Sequence, residues 1–147
     1  MWAQRDYTRK AALEDVRDGT AFQANAFFAS NPGAISILLY SDAVEVVNPI
    51  GPGRCKHKIV QVFWSIGDLP RMHRSQIDKL QLCLVFKEKY LKKYGYQMIF
   101  GRLLDDLCLL EEEGILVYKP FQRTVKAGLL LYSADNLEVG CTSLFIL

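Results

Sequence analysis

The chain uses nearly the same short phrase twice, and each copy is an apolar run that ends in an aspartate. Residues 37–42 read ILLYSD and residues 129–135 read LLLYSAD. Both runs are short and too uniformly apolar for an exposed face, which is typical of a strand buried on both sides of a sheet. If the two strands lie side by side and parallel, Asp42 and Asp135 leave the sheet at one edge, where two carboxylates can share a Mg²⁺ or Mn²⁺ ion.

A structural interpretation of the two aspartates is also open. An Asp that follows a strand commonly caps a helix or starts a turn. The repeated phrase is also short enough to arise by chance, because Leu, Tyr and Ser are frequent residues. No other stretch repeats, so the pattern does not indicate a solenoid or an internal duplication.

The composition is that of one folded domain. Half of the 147 residues are apolar or aromatic, which is enough for a hydrophobic core. The formal net charge of +2 is too small to indicate nucleic-acid binding by itself. The four cysteines show no Cys-x-x-Cys spacing and no secretory signal precedes them. No apolar run reaches the roughly 20 residues of a membrane span. We expect a soluble intracellular protein with reduced, mostly buried thiols and no membrane partner.

The first half of the chain predicts three consecutive strands. The first strand is predicted over residues 35–47 and is followed by a Pro/Gly turn at 48–53, which neither a strand nor a helix could contain. The returning strand is predicted over 57–66, because this stretch is rich in β-branched and aromatic residues. A third strand is predicted over 77–86. Short loops between consecutive strands predict an antiparallel meander.

The second half of the chain predicts a helix and further strands. Apolar residues at three- and four-residue steps predict an amphipathic helix over about 94–113. Strand character returns at 115–118 and 125–132. Because a helical crossover precedes the last strand, that strand can join the sheet parallel to an earlier one through a right-handed connection. The predicted organisation is an N-terminal arm over residues 1–30 and an α/β domain over 31–147.

The predicted order of strands and helix resembles the opening of a ribonuclease H-like fold. Three antiparallel strands are followed by a helix and a further strand, and the two acid-ending phrases lie on the first and last strands. The resemblance implies that the first and last strands are neighbours, so that Asp42 and Asp135 lie side by side. Nucleases and transposases of this fold use such a pair to hold two metal ions that activate the attacking group and stabilise the leaving oxygen.

Several longer stretches resemble a group of largely uncharacterised animal proteins derived from transposable elements. The resemblance covers about residues 18–136, and its most specific parts are NPIG at 48–51 and KHK at 56–58. Other matching stretches are IGDLP at 66–70, LKKYG at 91–95 and ADN at 134–136. The resemblance implies an origin in transposase or retroelement sequence and metal-dependent DNA strand cleavage or transfer as the ancestral activity. It leaves a nuclear location open.

The chain departs from that group in features that matter for catalysis. The group continues beyond the Asp-Asn motif, whereas this chain stops at Leu147, too soon after Asp135 for a further helix with a third metal-binding carboxylate. Glu45 and Glu138 are poor substitutes because each follows its aspartate so closely. Ala43 occupies a position where relatives often carry a second acid. We therefore expect a C-terminally truncated remnant of a transposase-like core that is not catalytically competent alone.

Two non-catalytic functions are alternatives on the same scaffold. One is a protein-interaction module. The other is a nucleic-acid-binding module, because basic residues in consecutive turns of the meander could contact DNA phosphates. The same residues also fit a set of solvated loop charges, and the basic group at 87–93 is interpreted as a solubilising start of the helix. The candidate nucleic-acid-binding residues are Arg54, Lys56, His57, Lys58, Arg71 and Arg74.

Overall fold

The structure is a computed structural model that describes residues 15–46, 58–119 and 122–134. Its helices and strands follow one another in an order close to the predicted one. In chain order the elements are α1 (Thr20–Gln23), α2 (Ala26–Ser30), β1 (Ile35–Glu45), β2 (Lys58–Ile66), α3 (Arg71–Arg74), β3 (Gln81–Lys87), α4 (Glu88–Glu112), β4 (Ile115–Val117), β5 (Arg123–Val125) and β6 (Ala127–Ala134), with 3₁₀ turns at Val16–Asp18 and Ile77–Lys79.

Four of the strands form one mixed sheet with the spatial order β3-β2-β1-β6, and β4 pairs with β5 in a separate ribbon. β1 is antiparallel to β2, and β2 is antiparallel to β3, so the predicted meander is confirmed. After α4, strand β6 joins the other side of β1 in the parallel orientation. The predicted α/β class and the parallel pairing of the two strands that carry the repeated phrase are therefore confirmed.

The first face of the sheet packs against α4. Side chains alternate between the two faces along a strand, and the residues of β1 at 37 and 39 point to this face. Ile37, Leu39 and Val62 of the sheet form a buried cluster with Phe100 and Leu107 of α4. Full burial of one such side chain contributes about 1.5–3 kcal/mol. The contact between α4 and this face is the main hydrophobic core of the described residues.

The second face of the sheet is covered near the start of β1 by the segment that precedes it. Arg17 donates a hydrogen bond to the hydroxyl of Ser36, which is completely buried. A Cβ atom added at Gly128 on β6 would lie 2.5 Å from a ring carbon of Phe27, so this close approach requires glycine. Phe28 is buried beside Phe27. The described part of the N-terminal arm therefore packs on the sheet.

The third strand begins later than the sequence predicts. Residues 77–79 form a 3₁₀ turn, in which the amide of Lys79 donates to the carbonyl of Gln76 at 2.9 Å. Ile77 is 90% exposed, so the apolar side chain that begins this stretch does not face the core. The prediction of a strand over 77–80 is therefore wrong, and β3 begins at Gln81.

The strand predicted over 125–132 is divided between two sheets. Val125 ends β5 in the two-stranded ribbon, whereas β6 begins at Ala127 in the main sheet. Between them, the carbonyl of Lys126 accepts a hydrogen bond from the amide of Ile35 at 2.9 Å. The chain thus passes at Lys126 from pairing with β4 to pairing with β1.

Helix α4 begins at Glu88, earlier than predicted, and is broken at Gly95. Gly95 has φ 76° and ψ 170°, a conformation that is essentially restricted to glycine. The amphipathic pattern predicted over 94–113 corresponds to the part after this break, which packs on the sheet. The part before the break corresponds to the basic group that the sequence places at the start of the helix.

Replacing Gly95 by alanine is expected to destabilise the protein by about 1–3 kcal/mol, because a Cβ is strained at this φ and ψ. The free energy of unfolding from urea denaturation measures the change. Gly101→Ala is the matched control: Gly101 is helical, and an added Cβ meets only Gln97 Nε2 at 3.7 Å. The control should stabilise the protein by about 0.5–1 kcal/mol. Equal effects of the two substitutions would contradict the break at Gly95.

Candidate functional site

Asp42 is half-buried near the end of β1. The register pairs it with Gln61 of β2, which in turn pairs with Val85 of β3. Because side chains alternate along a strand, Asp42 lies on the second face of the sheet together with Tyr40 and Val44. Its carboxylate therefore belongs to the side of the sheet opposite α4.

A hydrogen bond joins β1 to β6 directly before Asp42. The hydroxyl of Ser41 and the phenol of Tyr132 share this bond at 2.8 Å, and Ser41 is completely buried. The parallel register pairs Ser41 with Ala134. The two residues that precede the predicted aspartates are thus direct neighbours, while Asp135 itself lies outside the described residues.

The described ranges alone do not contain a complete metal site. Within residues 15–46, 58–119 and 122–134, no group of three or more His, Cys, Asp or Glu side chains is placed to hold a metal ion. A site with three such ligands at Asp42 would need a ligand from outside these ranges, where the predicted Asp135 lies. The ligand type available at Asp42 is a carboxylate oxygen, which Mg²⁺ and Mn²⁺ prefer.

The three predicted basic residues that the structure describes do not lie on one surface. Lys58 begins β2 at the same end of the sheet as Asp42, whereas Arg71 and Arg74 follow the opposite end of that strand. A strand of nine residues separates these ends by about 27 Å. The other three candidates, Arg54, Lys56 and His57, lie outside the described residues. The described positions therefore do not indicate one continuous phosphate-binding surface that includes all six residues.

Arg74 is bound within the protein. Its Nη1 donates to Asp15 Oδ1 at 2.8 Å, its Nη2 pairs with Asp15 Oδ2, and its Nε donates to the carbonyl of Leu69 at 2.8 Å. The side chains of Arg74 and Asp15 are each only 11% exposed. Arg71, on the same short helix, is exposed. Arg74 therefore attaches the N-terminal arm to the turn after β2.

A second polar cluster was not predicted from the sequence. Asp68 accepts hydrogen bonds from the amide of Ser36 at 2.8 Å and from its hydroxyl at 3.0 Å, and it also forms an ion pair with Arg17. These three residues are far apart in the chain and form no motif, so only the fold brings them together. All of these bonds join the arm, β1 and the turn after β2, which is a structural arrangement.

Cys83 departs from the expectation of buried thiols. It is exposed and lies where the pairing of β2 with β3 is shifted by a bulge. Its Sγ lies 3.3 Å from the carbonyl of Val62, to which the thiol donates. Although the residue is exposed, partial desolvation of its sulfur raises the pKa of the Cys83 thiol. The expectation of a buried cysteine is therefore wrong at this position, and the direction of the pKa shift is opposite to that of an activated thiol.

Beyond the N-terminal arm, part of the second face is exposed in the described structure. Tyr40, Val44, Val85 and Leu131 are between 42% and 49% exposed. The register places them on β1, β3 and β6 around Asp42. We call these four residues the open half of the second face. It is an apolar surface next to a carboxylate.

Comparisons with known proteins identify no relative of this chain: no family model, no curated protein and no solved structure matches it. Among the described helices, none has both the length and the apolar character needed to cross a membrane. The position of Asp42 and the pairing of β1 with β6 are therefore the observations on which a function can be proposed.

Proposed function

We propose that this chain is a ribonuclease H-like scaffold, derived from a transposase, that binds a divalent cation through Asp42 and Asp135. The observation that carries the proposal is the parallel pairing of Ser41 with Ala134. If this register continues by one residue, Asp42 pairs with Asp135. Neighbouring strands are about 4.8 Å apart, so both carboxylates would reach one ion with metal–oxygen distances of about 2.0–2.6 Å.

The sheet topology supports the same proposal. The order β3-β2-β1-β6, with β6 parallel to β1 and α4 between β3 and β6 in the chain, agrees with the ribonuclease H-like arrangement implied by the sequence. In that arrangement the first strand and the strand after the helix carry the metal-binding acids. This topology would then place Asp42 and Asp135 on neighbouring strands.

The backbone that carries Asp42 is fixed by a contact between β1 and β6. The buried hydrogen bond between Ser41 and Tyr132 keeps β1 and β6 together beside the proposed pair of acids. A bound Mg²⁺ or Mn²⁺ would supply Lewis-acid stabilisation of a phosphate oxygen. We infer cation binding without strand cleavage by this chain alone, because the proposed pair supplies two carboxylates and the nucleases of this fold use a third.

The proposal predicts that Mn²⁺ broadens the amide NMR signals of Tyr40, Ser41 and Ala134 together, because one paramagnetic ion would lie near both strands. Mg²⁺ should shift the same signals with a dissociation constant on the order of 1 mM, as expected for few carboxylate ligands. Asp42→Asn and Asp135→Asn should each weaken the binding about tenfold or more, since each removes one of two anionic ligands.

The matched control for this titration is Asp105→Asn, which removes an exposed carboxylate from α4. Binding in the control should equal that of the unchanged chain. Broadening near β1 that persists in both single variants at the proposed site would defeat the two-aspartate proposal. Coordinates that place the carboxylates of Asp42 and Asp135 more than about 8 Å apart would do the same, given the metal–oxygen distances above.

A protein-interaction module is a second candidate, and the open half of the second face favours it. Exposed apolar side chains that are grouped on one face of a sheet can mark a contact with another protein. This function needs no cation, so an absence of Mg²⁺ and Mn²⁺ effects at β1 and β6 would favour it over the first proposal. The two candidates use the same scaffold and differ in what the second face contacts.

A further inference from the structure

Residues 87–94 form a strongly basic surface with two exposed tyrosines, which we call the lysine–tyrosine segment. The segment reads KEKYLKKY and contains four lysines against one glutamate, whereas the whole chain has a formal net charge of only +2. The four lysines are exposed. Tyr90 and Tyr94 are 37% and 50% exposed. Positive charge is therefore concentrated in a short stretch that also presents aromatic rings.

The side chains of the segment are arranged by its helical turns. Lys89, Lys92 and Lys93 lie three and four residues apart, which places them on one side of the helix. Lys89 Nζ lies 5.4 Å from the ring centroid of Tyr90, and Lys93 Nζ lies 4.8 Å from that of Tyr94. The two rings are 5.8 Å apart. Amines and aromatic faces thus alternate on one continuous surface.

The single carboxylate in the segment neutralises little of this charge. Glu88 Oε1 lies 3.8 Å from Lys92 Nζ, and the Lys92 side chain is 81% exposed. An exposed pair of this kind contributes little and is screened by salt. Contacts between lysines and tyrosine faces are weak at exposed sites, so an anion can compete for the amines. The segment therefore remains available to a polyanion.

The segment lies at the same end of the sheet as Asp42. Lys87 ends β3 and pairs with Ile59, which pairs with Val44 of β1. The adjacent row across the strands is Val85, Gln61 and Asp42. Since neighbouring strands are about 4.8 Å apart, the start of the segment is roughly 10 Å from β1. The break at Gly95 separates it from the part of α4 that supplies the buried residues Phe100 and Leu107.

We propose that the lysine–tyrosine segment binds single-stranded nucleic acid. The lysine amines would contact backbone phosphates, and Tyr90 and Tyr94 would stack on bases. This combination of a basic surface with accessible aromatic rings is the one by which proteins bind single strands without sequence preference. A duplex would offer the phosphates but would keep its bases stacked inside, away from the tyrosines.

A lipid surface fits the segment less well. Helices that bind membranes insert a wide apolar face below the headgroups. The aliphatic side chain of this segment, Leu91, packs instead against the hydrophobic core of the protein. The tyrosines alone provide no such face. The observations therefore favour a phosphate backbone with bases over an anionic bilayer.

The single-stranded nucleic acid would bind at the end of the sheet that carries the proposed cation site. Its binding can nevertheless be measured without a cation. Binding of a fluorescein-labelled oligothymidylate to the full chain is measured by fluorescence anisotropy in EDTA at several salt concentrations. The triple variant Lys89→Gln, Lys92→Gln, Lys93→Gln should bind about tenfold more weakly at low salt. The slope of log K against log salt should fall in magnitude by up to about 2, or about 0.7 for each phosphate that a lysine no longer neutralises.

A second variant tests the stacking. Tyr90→Leu with Tyr94→Leu keeps the charge and should weaken binding roughly 5- to 150-fold for each base that loses its stacking partner, without changing the salt slope. The charge-matched control is Lys79→Gln, Arg102→Gln, Lys119→Gln, which removes exposed positive charges elsewhere. The control should bind within about twofold of the unchanged chain, since long-range charge effects are screened.

Three results would overturn the inference. The lysine variant and the control could lose affinity equally, which would indicate diffuse charge. The tyrosine variant could bind the oligonucleotide as well as the unchanged chain. Phosphatidylserine vesicles could bind more tightly than the oligonucleotide and through the same lysines. Asp42→Asn in the same assay separates the two proposals: it should leave the EDTA measurement unchanged while it weakens cation binding in the separate titration, so either proposal can fail alone.

Discussion

Replacing Phe100 by alanine is expected to lower the free energy of unfolding by about 3–5 kcal/mol. Phe100 is 3% exposed and joins α4 to the first face of the sheet. Its ring contacts those of Phe86 and Tyr96 at centroid distances of 5.7 Å and 6.1 Å. Alanine would remove the buried ring area and leave a cavity between helix and sheet. A native domain is stable by only about 5–15 kcal/mol, so this is a large part of the total.

Chemical denaturation monitored by circular dichroism measures the effect of Phe100→Ala. In thermal unfolding monitored by the same signal, the melting temperature should fall by roughly 6–20 °C for a chain of this size. Met98→Ala is the control, because Met98 lies on the same helix and is 75% exposed. It should change stability by less than about 0.5 kcal/mol. If both variants unfold at the same denaturant concentration, the packing of α4 on the sheet is wrong.

Replacing Arg74 by methionine is expected to destabilise the protein by about 3–5 kcal/mol, the typical effect of removing one partner of a buried ion pair. Methionine keeps the apolar stem but removes the guanidinium that contacts Asp15 and the carbonyl of Leu69. Asp15 would remain largely buried without its cationic partner. The N-terminal arm should then detach more easily, which limited proteolysis can detect as earlier cleavage before β1.

Arg71→Met is the matched control for Arg74→Met. Both residues lie in α3 and both substitutions remove one positive charge, but Arg71 is exposed. The control should change stability by less than about 0.5 kcal/mol. A stable Arg74→Met protein that has lost affinity for DNA would instead support the role that the sequence predicted for Arg74. The comparison therefore separates a structural role from a binding role at this residue.

The main sheet was predictable because its strands carry strong local signals. The strand over 35–47 and the strand over 57–66 were placed correctly to within a few residues, since they are rich in apolar and β-branched side chains and are bounded by turn residues. The parallel neighbour of β1 followed from the helix between β3 and the last strand. At residues 77–80 the alternation of apolar and polar residues is short, and it predicted a strand that does not form. The local pattern was misleading there because the side chain of Ile77 does not pack against the core.

The candidate site could be predicted only in part. Asp42 was expected to leave the sheet but is still paired with Gln61, and β1 continues to Glu45. The residues before Asp42 and Asp135 are paired as expected. The basic residues could not be assigned from the sequence, because consecutive turns of a meander lie at alternate ends of its strands. Lys58 and Arg74 are consequently separated by the length of β2. The lysine–tyrosine segment was present in the sequence, but its exposure depends on how α4 breaks and packs.

The sequence by itself determined the class of fold, because the period of apolar residues and the positions of Gly and Pro are local properties of the chain. Only the tertiary structure decided which charged residues serve the fold and which remain on the surface. Arg74 and Arg71 illustrate the difference: they are almost adjacent in sequence, yet one is bound to Asp15 and the other is exposed. The physical reason is that an ion pair depends on the distance between two groups in space, and residues 15 and 74 become neighbours only when the arm packs on the sheet.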